Sequence, residues 1–134
     1  MKAEIKAGSK LFAEFLGWES MEREGKYIDH YMVPNLFPKY NIDHIENTGW
    51  ISEDIEDAMF HEDWGWLMAV YEKIIAQENG RWDIEISYKK IVVVDYQCGE
   101  QRYEWMRSGE EGMILFLFEA LAFYIGKGMF DEKN

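Results

Sequence analysis

A single cysteine, Cys98, excludes an intrachain disulfide and any zinc site built from several thiolates. It fits a reducing, cytoplasmic location. Two prolines in 134 residues exclude a Pro-rich linker. Basic residues are scarce: 14 Lys and Arg stand against 26 Asp and Glu, a formal net charge of −12. That balance excludes a nucleic-acid binder of the usual basic kind, so no direct nucleic-acid contact is expected. Long apolar runs are missing as well. The longest, Met113 to Ile125, is interrupted by Glu119, and a bilayer-spanning helix needs roughly 20 residues. No membrane partner is expected. Met1 to Lys10 alternates charged and small residues, without the apolar stretch of a secretory signal.

What the chain has in quantity is apolar and aromatic surface. Hydrophobic residues make up 48% and aromatics 16%, enough to offset chain entropy on folding. The length suits one domain. Leu11, Phe12, Phe15 and Leu16 predict a helix over 9–16 with Ser9 as N-cap and Gly17 as a left-handed stop. Residues 19–26 read as a charged loop. Tyr27 to Val33 predicts a short edge strand ending at Pro34. Trp64, Leu67, Met68, Tyr71, Ile74 and Ile75 recur at helical spacing, after Asp63 as N-cap and before Gly80. Trp82 to Tyr88 alternates strictly, and Ile91 to Tyr96 follows across Lys89-Lys90, which predicts a hairpin. A last helix is expected from Ser108, with Ser108 and Glu111 as a capping box, to about Ile125. It is apolar on nearly every side, so it lies between two layers or meets a partner. The fold class expected is α+β: one compact domain, 1–134, with helices on a small, mainly antiparallel sheet and an irregular acidic insertion at about 34–63.

Phe12-Ala13-Glu14-Phe15-Leu16-Gly17-Trp18 resembles an opening signature of small phage and prophage proteins of the α/β-sandwich (phage ABA-sandwich-like) kind. Asp63-Trp64-Gly65-Trp66-Leu67-Met68-Ala69-Val70-Tyr71-Glu72-Lys73-Ile74 is similar to a helix of the same proteins, with an extra Gly between Asp63 and Trp66. The hairpin followed by an apolar helix is similar in order. The resemblance implies a mobile-element origin and a small accessory protein that acts by binding a host protein, defence systems included. It carries over no functional residues.

Charge is segregated. Between Tyr40 and Glu72 stand nine acids, Asp43, Glu46, Glu53, Asp54, Glu56, Asp57, Glu62, Asp63 and Glu72, and no Lys or Arg. The rest of the chain is close to balance, with 17 acids and 14 bases. Acids interleaved with Trp50, Phe60 and Trp66 match the Lys, Arg and stacking residues of a nucleic-acid channel. A solvated acidic face over an ordinary core accounts for the same charges, and residues 51–60 would then be a short helix capped by Ser52. His30 beside Asp29, Asp43-His44-Ile45-Glu46 and His61-Glu62-Asp63 offer oxygen and imidazole donors, but no His-x-x-x-His pair exists, and no metal or other cofactor is expected. Cys98 with His44 or His61 is the one nucleophile–base set. No Gly-rich phosphate loop and no Gly-x-Ser-x-Gly accompany it, so no catalytic residue is assigned and a non-enzyme is expected.

The function expected is binding and inhibition of a host protein with a basic surface, in particular a nucleic-acid-guided defence nuclease, in an anti-CRISPR-like manner. Glu53, Asp54, Glu56, Asp57, Glu62 and Asp63 would steer the partner; Trp50, Phe60 and Trp66 would anchor it. Tyr103 and Trp105, in the loop before the last helix, would form a second contact patch. Two alternatives stay open. One is a binder of a cyclic-nucleotide signal through Lys89, Lys90, Arg102 and Arg107. The other is a homo-oligomer joined through the last helix.

Overall fold

A computed structural model describes residues 1–34 and 50–130. In chain order its elements are helix α1 (Ala3–Phe15), strands β1 (Glu19–Ser20), β2 (His30–Pro34) and β3 (Trp50–Asp54), helix α2 (Trp64–Ile75), strands β4 (Trp82–Ile86), β5 (Lys90–Asp95) and β6 (Gln101–Met106), and helix α3 (Met113–Gly126). The chain is α+β. Its strands form two antiparallel sheets, ordered β1-β2-β3 and β4-β5-β6, rather than a single small one. Residues from both sheets and all three helices share one apolar core. Among the described residues no helix is long and apolar enough to cross a membrane.

Helix α1 starts six residues before the expected Ser9, which lies buried within it. The N-terminal extension is rich in helix formers, and its small residues let α1 lie close against α3. A β-carbon placed on Gly8 would stand 2.7 Å from the Phe118 ring. That ring cannot step aside, because Phe12 packs edge-on to it at 4.9 Å. Gly8→Val is therefore expected to destabilise the fold by about 1–3 kcal/mol through overpacking, read as a lower urea midpoint at unchanged m-value. The helix ends as expected at Gly17, whose φ is +82°. The Gly17 amide donates to the Glu14 carbonyl and the Trp18 amide to the Ala13 carbonyl, a Schellman stop. Helix α3 ends the same way, at Gly128, past the expected Ile125: the Met129 amide donates to the Tyr124 carbonyl.

Three further expectations are corrected. The strand expected from Tyr27 begins at His30, because Tyr27 and Asp29 have φ of +57° and +61°. It is central, not an edge, since β1 and β3 flank it. The short helix expected over 51–60 is instead strand β3 followed by a 3₁₀ turn, Ile55–Asp57; pairing of β3 along the whole length of β2 overrides its local preference. The cap of that turn is Asp54, not Ser52: the Glu56 amide donates to Asp54 Oδ1 at 3.0 Å. Helix α3 begins at Met113 with Gly112 before it and no side-chain cap. Glu111 does not close a box with Ser108, because Arg107 takes it: the guanidinium donates to the Glu111 carbonyl and lies 3.8 Å from its carboxylate.

The hairpin β4–β5 and Asp63 as the N-cap of α2 stand as expected. Trp64, expected in the core, is 47% exposed. It opens α2 and so lies at the end of the apolar stripe. Helix α3 is covered on most of its surface by its own fold, with Phe116, Leu117, Phe118, Ala120, Leu121 and Tyr124 all buried, but Phe123 stays exposed.

Candidate functional site

The bend from β3 into α2 places the acidic residues in order. The Ile55 amide donates to the Asp29 carbonyl at 2.8 Å, tying the bend to the start of β2. Asp54 caps the 3₁₀ turn and lies 3.8 Å from His30 Nε2. Glu56 faces the chain's N-terminal amine at 3.4 Å and Lys6 at 3.2 Å. Asp63 Oδ1 accepts from Gly65 at 2.7 Å and more weakly from Trp66 at 3.4 Å. Glu62 is exposed, with His61 Nε2 at 3.2 Å. Asp57 is exposed, and no ion pair reaches it among the described residues.

Three of the six proposed steering acids thus have local work: two cap helical turns and one is neutralised by Lys6 and the N-terminus. Glu53 differs. It sits half-buried opposite Tyr31 on β2. Burial first, then the neighbouring charges of Asp57 and Asp54, push its carboxyl above the ordinary range. A carboxyl raised in this way opposes folding once ionised, and the penalty disappears as pH falls through its raised pKa. Glu53→Gln is therefore expected to raise the urea midpoint at neutral pH and to change it less in acid.

Beneath the bend lies a salt-bridge cluster that no sequence pattern announces beyond Asp29 itself. Asp29 binds Lys10 and, at 2.7 Å, Lys6. Hydrogen bonds from Lys10 first and then Lys6 lower the Asp29 carboxyl and raise both lysines. The cluster commits the lysines of α1 to the underside of the acidic bend. Asp29 therefore faces lysines, and His30 directs Nδ1 to the Ile28 carbonyl at 2.9 Å, so the two do not converge. No group of three or more His, Cys, Asp or Glu able to hold a metal ion occurs among the described residues. Asp43, His44, Ile45 and Glu46 lie outside them.

The proposed anchors separate. Phe60 is wholly buried, with ring contacts to Phe12 at 5.3 Å, Trp18 at 5.5 Å and Trp66 at 5.2 Å. It belongs to the core. Trp66 is half-buried and closes the same cluster edge-on against Trp18. Trp50 is the first residue of β3, paired with Pro34; its side chain lies outside the described set. Tyr103 and Trp105 lie on strand β6, not in a loop. Tyr103 donates its hydroxyl to Gln101, and Trp105 stacks against Phe123 at 4.6 Å.

The other candidate sets do not converge either. Cys98 is exposed in the β5–β6 turn. Its thiol bonds to the Asp95 carboxylate, which holds it above the ordinary range, so the thiolate a nucleophile needs is disfavoured. Arg102 pairs with Glu85 at 2.6 Å and Lys90 with Glu104 at 3.2 Å. Arg107 is held between the Tyr88 ring and the Glu111 carbonyl.

An apolar groove of about 650 Å³ runs between α1, α3 and β6, lined by Ile5, Leu11, Trp105, Leu115 and Phe123 among others. Phe123 is the exposed aromatic of α3 at this groove. No family model, curated protein or solved structure matches this chain.

Proposed function

We propose that the chain is a non-enzymatic accessory protein of a phage or other mobile element that binds and inhibits a host protein with a basic surface, of the nucleic-acid-guided nuclease class. The observation that carries the reading is the Glu53, Asp54 and Asp57 trio. Glu53 is half-buried near the end of β3, Asp54 and Asp57 raise its carboxyl by their charge, and no Lys or Arg pairs with the three among the described residues. A cationic surface docked there meets a concentration of negative charge that no Lys or Arg among the described residues neutralises. Glu62 extends the surface toward α2. The mobile-element origin rests on the segments Phe12–Trp18 and Asp63–Ile74, which resemble phage proteins.

A nucleotide-signal binder is less well supported. Phosphate capture needs convergent free cations, whereas Lys90, Arg102 and Arg107 are each engaged with a partner. An oligomer through α3 has a narrower motive: Phe116, Leu117, Phe118, Ala120, Leu121 and Tyr124 are buried within the chain, which leaves Phe123 and the groove beside it as the apolar surface of that helix.

Reversal of the two exposed acids that neither cap a turn nor pair with Lys6, Asp57→Lys with Glu62→Lys, tests the reading against a purified guide-loaded nuclease. Binding should weaken at least tenfold, and its decline with added salt should flatten. Unchanged affinity and unchanged salt dependence would sink the proposal.

A further inference from the structure

The sheet β4-β5-β6 has two edges, and they are finished differently. The Ser87 amide donates to the Lys90 carbonyl and the Tyr96 amide to the Arg81 carbonyl, while the Arg107 amide donates to the Lys89 carbonyl. Bonding alternates along an antiparallel ladder. Even-numbered residues of β5 therefore bond β4, and odd-numbered ones bond β6. In β6 the backbone groups of Gln101, Tyr103 and Trp105 face β5, and those of Arg102, Glu104 and Met106 face outward. In β4 the outward residues are Trp82, Ile84 and Ile86. There the Ile84 amide is taken by the Asp83 carboxylate at 2.9 Å, and Trp82 is buried under Phe130. No hydrogen bond reaches the outward backbone of Arg102, Glu104 or Met106 among the described residues. An extended strand with open donors and acceptors is a template for another strand.

We propose that β6 is a dimer seam, at which a second copy of this chain pairs its own β6 antiparallel about a two-fold axis through Tyr103. Outward-facing residues must lie opposite outward-facing residues, so only alternate registers are available. One places Arg102 opposite Arg102, and another places Glu104 opposite Glu104. The register between them places Arg102 opposite Glu104 of the partner subunit, twice by symmetry, and each such pair exchanges two backbone hydrogen bonds. Like charges directly opposite disfavour both neighbouring registers, and the Arg102–Glu85 and Lys90–Glu104 pairs within each chain are exposed, so both charges can also reach across the seam. On the other face the same register brings the two Tyr103 rings together at the axis, where opposing side chains approach most closely. The result is a continuous six-stranded sheet with both sets of helices on one side. Each chain carries −12, a repulsion screened beyond about 10 Å at 0.1 M salt, so the dimer strengthens between low and physiological ionic strength. The seam uses a different sheet from the acidic bend and stands independently of the function proposed above.

Sedimentation of the full chain over a wide concentration range tests the seam. The native protein is expected to pass from monomer to dimer. Arg102→Glu sets carboxylate against carboxylate across the seam and should weaken association about tenfold. Arg102→Glu with Glu104→Arg restores the opposition of charges and should recover it, with circular dichroism checking the fold. As a second measurement, Tyr103→Cys in a Cys98→Ser background should give a covalent dimer on mild oxidation. A monomer at every concentration, an association indifferent to the charge reversal, or no cross-linked dimer overturns the proposal.

Discussion

Phe60→Ala is expected to cost about 3–5 kcal/mol of folding stability, the range for truncating a fully buried aromatic ring. Phe60 has no exposed surface, and Phe12, Trp18 and Trp66 pack around it at centroid distances of 5.2–5.5 Å. The four rings join α1, the turn after it, the approach to α2 and the first turn of α2. None of them can follow the vacated volume without leaving its other contacts, because Phe12 is also held edge-on by Phe118. A cavity therefore persists, and its cost adds to the lost transfer free energy. Against a total of about 5–15 kcal/mol for a domain, the loss is large. Urea unfolding followed by tryptophan fluorescence should show a much lower midpoint at similar m-value. The experiment also separates two roles. A variant that kept its midpoint but lost a partner would place Phe60 on a contact surface, contrary to its burial.

The same residue shows where sequence reading succeeds. Phe60 follows the acidic run Glu53–Asp57 and fits no regular helical or alternating pattern, so its spacing carried no sign of burial. The 3₁₀ turn at Ile55–Asp57 redirects the chain, and that redirection, not a period, turns Phe60 inward. Elements with an uninterrupted period were legible: α2 from its apolar stripe and Asp63 cap, and the β4–β5 hairpin from strict alternation followed by a fully apolar strand. Strand β5 is apolar on both faces: Val92 and Val94 are buried although they lie outside the main core, on the face where Glu85 pairs with Arg102 and Lys90 with Glu104. Strand β6 was missed because it alternates charged with aromatic residues, which on an exposed edge looks like a loop. Strand β3 was missed because Ser52, Glu53 and Asp54 disfavour strand locally, and only the register with β2 holds them there. Of the candidate site, the acids were legible as a cluster. Their division into caps, an ion-paired Glu56 and a half-buried Glu53 depends partly on Lys6, Lys10 and Asp29, which are remote in sequence and meet only in the fold.

Asp95→Ala is expected to destabilise the protein by a comparable amount, about 3–5 kcal/mol, the range for breaking a buried ion pair from one side. Asp95 ends the central strand β5 and is 2% exposed. Arg81 grips it with both arms of its guanidinium, at 2.9 and 3.0 Å, and the Gln97 amide donates to it at 3.0 Å, so the same carboxylate fixes the turn that leads into β6. The Arg81 hydrogen bonds outweigh burial and hold the carboxyl below the ordinary range. The sign for pH follows. A depressed folded-state value contributes stability that is full above the unfolded carboxylate range and is lost as pH falls through the folded-state value. The native protein should therefore lose stability in that acid window, and the variant, lacking the group, should lose less there. Replacing both partners decides whether the pair or the exposed charge matters. In Asp95→Ala alone, Arg81 loses its bidentate partner and keeps Glu78 and the face of Trp82. With Arg81→Leu added, no half-buried charge is left uncompensated, and the double variant should be more stable than Asp95→Ala. If the two losses simply add in urea unfolding, the carboxylate stabilises the fold through the turn at Gln97 and not through Arg81.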